Sequence, residues 1–207
     1  MKHKQSIRAI LFDYGGVIAD EGFYDGLGVI AKKQGLEHKQ LHKMGMDSVF
    51  ESGFVLGKGT EAEFWDLLRK KAGITGSDDE LRNEILPRFR LRPWMIDTIR
   101  DLRQQGYIVA LLSDQVDWLD WLDAEQDFLK EFDQLFISNR MGKGKRDPSL
   151  FDDVVNKLEL RPEQALFIDD ADGNIERAAS RGLKVIRYTD RESFESELES
   201  QLDNNKP

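Results

Sequence analysis

The chain contains no cysteine, which excludes disulfides, thiolate metal sites and a cysteine nucleophile. It has only three histidines, poor material for a histidine-built metal centre. Positive charge is short as well. Lys plus Arg number 30 against 39 Asp plus Glu, for a formal net charge of −9. Nucleic acids and anionic membrane surfaces are bound through a positive field, so neither is an expected partner. No apolar run approaches the ~20 residues that cross a bilayer. The run Ile10-Leu11-Phe12 breaks at Asp13, whereas a signal peptide needs a longer apolar stretch and a small-residue cleavage site. A cytoplasmic protein, monomer or homodimer, is expected.

What is there is a globular composition, 40% hydrophobic and 33% charged. A chain of this length buries roughly 70% of its unfolded surface, enough for a real core. Short apolar runs at 7–12, 107–112, 134–137, 165–168 and 184–188 are too short for helices, and most stop at a polar residue, as buried parallel strands do. Helical patterns separate them. Pro93 suits a first helical turn, Met95, Ile99 and Leu102 form one stripe, and Gly106 closes the segment. Asp147-Pro148 opens another helix, with Leu150, Val154 and Leu158 on one face. Residues 172–180 form a third, closed by Gly182. This alternation predicts an α/β fold, a Rossmann-like parallel sheet with helices on both faces.

Residues 20–92 break that rhythm and read as helices alone, at 27–34, 39–52, 61–72 and 78–88. They predict an all-helical cap subdomain inserted into a core formed by 1–19 and 93–207. Beyond Asp190 the pattern is a short acidic amphipathic helix and then a frayed tail at 204–207.

Ligands of open parallel sheets bind at the carboxyl ends of the strands. There the first strand delivers Asp13, followed by Tyr14-Gly15-Gly16, and the second delivers Ser113 and Asp114. A loop after the third strand carries Lys145. The fourth delivers Asp169 and Asp170, with Asn174 one turn on. Clustered carboxylates repel unless a cation lies among them, and hard oxygen ligands suit Mg²⁺. Mg²⁺ beside a lysine neutralises phosphoryl oxygens. Ser113 and the backbone N–H groups of Tyr14, Gly15, Gly16 and Asp114 would hold the remaining oxygens, with the two glycines admitting a ligand closely. A strand-end carboxylate can then attack phosphorus through an aspartyl phosphate.

Taken in order, LFDYGGVI, LLSDQ, GKGKRDPSLF and LFIDDADGNIERAASRG resemble the four motifs of the haloacid dehalogenase-like hydrolases. The helical insert resembles that superfamily's C1-type cap, and EFWDLL at 63–68 is similar to cap sequences of its phosphatase-like members. The resemblance implies Asp13 as nucleophile and Mg²⁺ ligand, and Gly15 as a ligand through its carbonyl. It implies Asp170 as a direct ligand, with Asp169 acting directly or through water. Ser113 would bind the phosphoryl group, and Lys145 would pair with that group and with Asp13. The expected substrate is a small phosphorylated metabolite, with sugar phosphates among the candidates.

One departure bears on catalysis. Most phosphatases of the family carry a second Asp two residues after the nucleophile as general acid and base, and Gly15 stands there. Losing a positioned proton donor typically forfeits ~10²–10⁴ in rate. Asp20 and Glu21 lie past the strand end, in the cap entrance, and read as poor replacements. A preference for good leaving groups, such as anomeric sugar or aryl phosphates, is therefore expected. Two other readings stay open: a metabolite-binding protein with negligible turnover, and a 2-haloacid dehalogenase. The latter needs no proton donor but leaves Asp169-Asp170 unexplained. The proline often found after the motif lysine is Arg146 here. His38 and His42, four apart with no third ligand, read as surface histidines, and Trp118, Leu119, Trp121 and Leu122 as a core-facing or dimer-facing stripe.

Overall fold

A computed structural model describes residues 7–203; the start at 1–6 and the tail at 204–207 lie outside the described residues. Five parallel strands form one sheet: β1 (Ala9–Phe12), β2 (Ile108–Ser113), β3 (Gln134–Ile137), β4 (Ala165–Asp169) and β5 (Lys184–Arg187). Their spatial order is β3-β2-β1-β4-β5, so the chain reverses direction across the sheet at β1. Side chains alternate between faces along each strand. Ile10, Phe12, Val109, Leu111 and Ile168 enter one apolar cluster, and Leu11, Ala110, Leu112 and Phe167 enter the other. The expected doubly covered parallel sheet is what the chain forms. Fully burying a Phe, Leu or Ile of this kind stabilises the fold by about 1.5–3 kcal/mol each.

Between β1 and β2 lie α1 (Gly22–Gln34), α2 (His38–Glu51), α3 (Glu61–Ala72) and α4 (Asp78–Asn83). The expected helix at 78–88 stops at Asn83 and resumes only as a single tight turn, Leu86–Arg88. Pro87 offers no N–H and crowds the preceding turn, so the helix cannot continue through it. The first helix begins five residues earlier than its apolar pattern, because Glu21 caps it and Gly22 and Gly26 pack directly against Phe89 and Ile85. The chain leaves and re-enters the core side by side. Asp20 N–H donates to Arg90 C=O at 3.0 Å, and Arg92 N–H donates to Ile18 C=O at 2.9 Å.

The remaining helices complete the core: α5 (Pro93–Gln104), α6 (Trp118–Gln126), α7 (Ser138–Met141), α8 (Ser149–Lys157), α9 (Asp172–Ser180) and α10 (Arg191–Asp203). In α6, Trp118, Leu119 and Leu122 are buried, while Trp121 stays 45% exposed under the guanidinium of Arg82. His38 and His42 are half-buried and pack against the Tyr24 ring, with His38 Nε2 at 2.8 Å from the Tyr24 carbonyl. Among the described residues no third His, Cys, Asp or Glu joins them in a metal-holding cluster. No helix of the described residues is long and apolar enough to cross a membrane.

Candidate active site

The sheet register sets the site. Phe12 pairs with Ile168, and Asp13 N–H donates to the Ile168 carbonyl at 3.0 Å, so Asp13 and Asp169 leave adjacent strands side by side. Ser113 ends the strand on the other flank, and its hydroxyl donates to Asp13 Oδ1 at 2.6 Å. Tyr14 N–H donates to the same oxygen at 2.8 Å. Lys145 enters from the loop after α7, with Nζ 2.7 Å from Asp13 Oδ2 and 2.6 Å from Asp169 Oδ2. One ammonium thus bridges the two strand-end carboxylates.

Neighbouring groups fix that lysine. The Asp114 carboxylate accepts the Lys145 N–H at 2.9 and 3.2 Å, so its side chain anchors the loop. Arg177 Nε donates to the Lys145 carbonyl at 2.7 Å, and Arg177 Nη2 to Asn174 Oδ1 at 2.7 Å. Asn174 Nδ2 reaches both Asp169 oxygens, at 3.1 and 3.0 Å, and Ala171 N–H donates to Asp169 Oδ1 at 2.8 Å. Asp169 is wholly buried and its oxygens are occupied by these donors and Lys145. Arg177 was not singled out from sequence, although it stands one turn beyond Asn174 on the same helix face.

Asp13, Asp169 and Asp170 each bring a carboxylate oxygen within 4.8 Å of the others, and the Lys145 ammonium contacts only Asp13 and Asp169, leaving an acidic surplus at Asp170. Burial pushes the Asp13 carboxyl well above the usual carboxylate range, and Lys145 offsets only part of that. Burial works against the Lys145 charge too, but Asp13, Asp169 and Asp114 outweigh it and hold the lysine protonated. Asp170 is also pushed up, by burial and then by Asp169. A divalent, oxygen-seeking cation fits this surplus in both charge and ligand chemistry. Gly16 makes room for it: its φ is +79°, and a Cβ there would fall 2.2 Å from Asp170 Oδ2.

Gly15 differs from Gly16. Its φ is not in the left-handed region, and a Cβ would meet Glu21 Oε1 at 3.2 Å and Phe89 at 3.5 Å. Glu21, expected past the strand end in the cap entrance, thus lies directly beside position 15. The Tyr14 carbonyl accepts the N–H groups of both Ile18 and Ala19 at 2.9 Å, and this tight turn folds the chain back over the strand end. Asp20 points away, to Arg90 and Arg92. Glu21 lines the cleft while keeping an exposed face; desolvation within the cleft first, then the Asp170 charge, push its carboxyl up to about 7.

The cleft is a cavity of about 290 Å³ between the strand ends and the helices inserted after β1. Asp13, Ser113, Lys145 and Asp170 form its floor, and Met46, Val49, Phe50 and Trp118 are among its apolar lining. Arg146 reaches α2, its guanidinium carbon 3.7 Å from the centre of the Phe50 ring.

The family model of haloacid dehalogenase-like hydrolases matches residues 7–182, most of the chain. The chain belongs to that family. Among curated relatives, this hydrolase is 26% identical to D-ribitol-5-phosphate phosphatase of Bacteroides thetaiotaomicron, over 93% of this chain and 97% of the relative. It is 32% identical to acyl-CoA dehydrogenase family member 10 of Mus musculus over 53% of this chain, but spans only 10% of that protein's length. A crystal structure of a HAD-family enzyme from Bacteroides thetaiotaomicron, in complex with magnesium and inorganic phosphate, matches the fold with a TM-score of 0.67. That match has 24% identity and covers 88% of this chain and 94% of the other. The fold expected of a haloacid dehalogenase-like hydrolase is thus the fold of this chain.

Proposed function

We propose that this hydrolase is a Mg²⁺-dependent phosphatase that removes phosphate from a small phosphorylated metabolite through an aspartyl phosphate. The observation that carries the reading is the Lys145 ammonium held between Asp13 and Asp169 at 2.7 and 2.6 Å, with Asp170 beside them. Carboxylates so placed are costly without a cation and become useful when an anionic phosphoryl group must be drawn in. The phosphatase relative, matched along almost its whole length, supports the same chemistry.

In this reading Asp13 Oδ2 or Oδ1 attacks phosphorus, and the hydrogen bonds from Ser113 and Tyr14 hold the carboxylate in its attacking orientation. As attack proceeds, Lys145 and the Ser113 hydroxyl turn to the phosphoryl oxygens, joined by the backbone N–H groups of Gly15, Gly16 and Asp114. When bound, Mg²⁺ would supply positive charge opposite those oxygens, held by Asp13, Asp170 and the Gly15 carbonyl. Asp169 supports from behind, because its own oxygens are already taken by Lys145, Asn174 and Ala171. Residues 20–92 act as the cap and choose the substrate. A cavity of about 290 Å³ suits a metabolite of sugar or polyol phosphate size. We place the enzyme in the cytoplasm, with neither nucleic acid nor membrane as partner, as a monomer or homodimer.

The dehalogenase reading gains nothing from the site, because halide departure calls for no cation among three carboxylates. Acid-quenched turnover followed by mass spectrometry tests the mechanism. A phosphate increment on the peptide that contains Asp13 is expected, and its consistent absence during turnover would refute the covalent route.

A further inference from the structure

We propose that Glu21, from the cap entrance, is the general acid and base of this phosphatase, filling from the far side the space vacated at Gly15. The inference rests on the phosphatase reading above and stands on geometry. Position 15 has no backbone requirement for glycine, since its φ lies outside the left-handed region. What a side chain there would meet first is a carboxylate oxygen, Glu21 Oε1, at 3.2 Å from the Cβ position. An aspartate's own oxygens would lie about 2.4 Å from that Cβ by ordinary bond lengths. Glu21 therefore sets its oxygen within about an ångström of that radius, in the same cleft as Asp13 and Ser113.

Glu21 is the N-cap of α1, and its Oε2 lies at the long distance of 3.5 Å from the Tyr24 N–H. Among the described residues, Oε1 accepts no hydrogen bond, so it is the oxygen left to serve a substrate. The charged groups acting on the carboxyl are Asp170, Lys145 and Asp25. Glycine at 15 and glutamate at 21 then read as one solution. A side chain at 15 would crowd the carboxyl that arrives from the cap.

The chemistry balances. Asp13 forms its bond to phosphorus while the bond from phosphorus to the leaving oxygen breaks. The electron pair stays on that oxygen, which takes the proton of the Glu21 carboxylic acid. Water then bonds to phosphorus and gives its proton to the Glu21 carboxylate, and the Asp13–phosphorus bond breaks. Inorganic phosphate leaves, with Asp13 ionised and Glu21 protonated again.

The test compares p-nitrophenyl phosphate, whose leaving group needs no proton, with D-ribitol 5-phosphate, whose alkoxide does. Glu21→Gln is expected to lower kcat/KM on the alkyl ester by ~10²–10⁴ and on the aryl ester by less than ~10-fold. It should also convert aryl turnover into a p-nitrophenol burst followed by a slow steady state, because water attack on the aspartyl phosphate has lost its base. A second variant guards against misfolding. Glu21→Ala combined with Gly15→Asp returns a carboxyl to the same space and should recover at least ten-fold of the alkyl rate lost by Glu21→Ala alone. Equal losses on both esters, no loss, or no recovery in the double variant would each overturn the role of Glu21. If the parent enzyme releases phosphate from neither ester nor any member of a wider panel of phosphorylated metabolites, the phosphatase reading itself fails and the proposal falls with it.

Discussion

Replacing Lys145 with methionine is the sharpest perturbation of this site. Lys145 is 2% exposed and its ammonium lies 2.7 Å from Asp13 and 2.6 Å from Asp169, itself wholly buried. Methionine keeps an unbranched side chain, one atom shorter, but leaves two buried carboxylates without their cation. Breaking a buried pair in this way costs about 3–5 kcal/mol. For a chain of this size each kcal/mol moves Tm by about 2–4 °C, so a fall of about 6–20 °C is expected. Urea titration and thermal melts in EDTA would measure it. Mg²⁺ should raise the variant's own stability above its value in EDTA, since a cation binding the native state alone at 100 times its Kd adds about 2.7 kcal/mol. Lowering the pH should shrink the deficit as well, because protonated carboxyls no longer need the ammonium. A variant within about 0.5 kcal/mol of the parent in EDTA, the range of ordinary surface substitutions, would refute the view that Lys145 neutralises this cluster.

Three other outcomes follow from particular contacts. Gly16→Ala must place a Cβ 2.2 Å from Asp170 Oδ2 at a φ of +79°. It should cost about 1–2 kcal/mol from backbone strain and weaken Mg²⁺ binding by displacing Asp170, both readable by melts and calorimetric titration. Ser113→Ala removes a 2.6 Å hydrogen bond to Asp13. At about 1.5–3 kcal/mol for a bond to a charged group, kcat/KM for phosphate release should fall by ~10–10². In the cap, Glu63 closes a capping box with Thr60, whose N–H and hydroxyl hold its carboxyl below the ordinary value of 4.5. A carboxylate depressed in the folded state adds stability that is present above the unfolded pKa and lost as pH falls through the folded one. Glu63→Gln should therefore be less stable than the parent above about pH 4.5, and the gap should close at lower pH in paired denaturation curves.

Much of the site is legible in the sequence because it depends on local pattern. Asp13, Ser113 and Asp169 each end a short apolar run, and the two-residue period of a buried strand fixes which residue emerges at the sheet edge. Pro87 carried the warning that a helix through 78–88 would break, since a proline at that depth removes a helical hydrogen bond. What was not legible depends on contacts between distant segments. The start of α1 at Gly22 defeats local propensity, because two glycines weaken the helix signal and only their packing on Phe89 and Ile85 explains them. Glu21 reaches the floor of the cleft through the turn closed by Tyr14 and the returning strand near Leu91, partners some seventy residues apart. No spacing rule along the chain encodes that approach. The role of the Asp114 side chain was hidden likewise, because the backbone it anchors belongs to a loop thirty-one residues away.

The most direct measurement of the central claim is phosphate release from a panel of phosphorylated metabolites with Mg²⁺, run beside EDTA and an Asp13→Asn variant. Release that requires the metal and vanishes in the variant is the predicted result. Release that persists in EDTA or in Asp13→Asn, or none above the Asp13→Asn background on any member of the panel, would contradict the account.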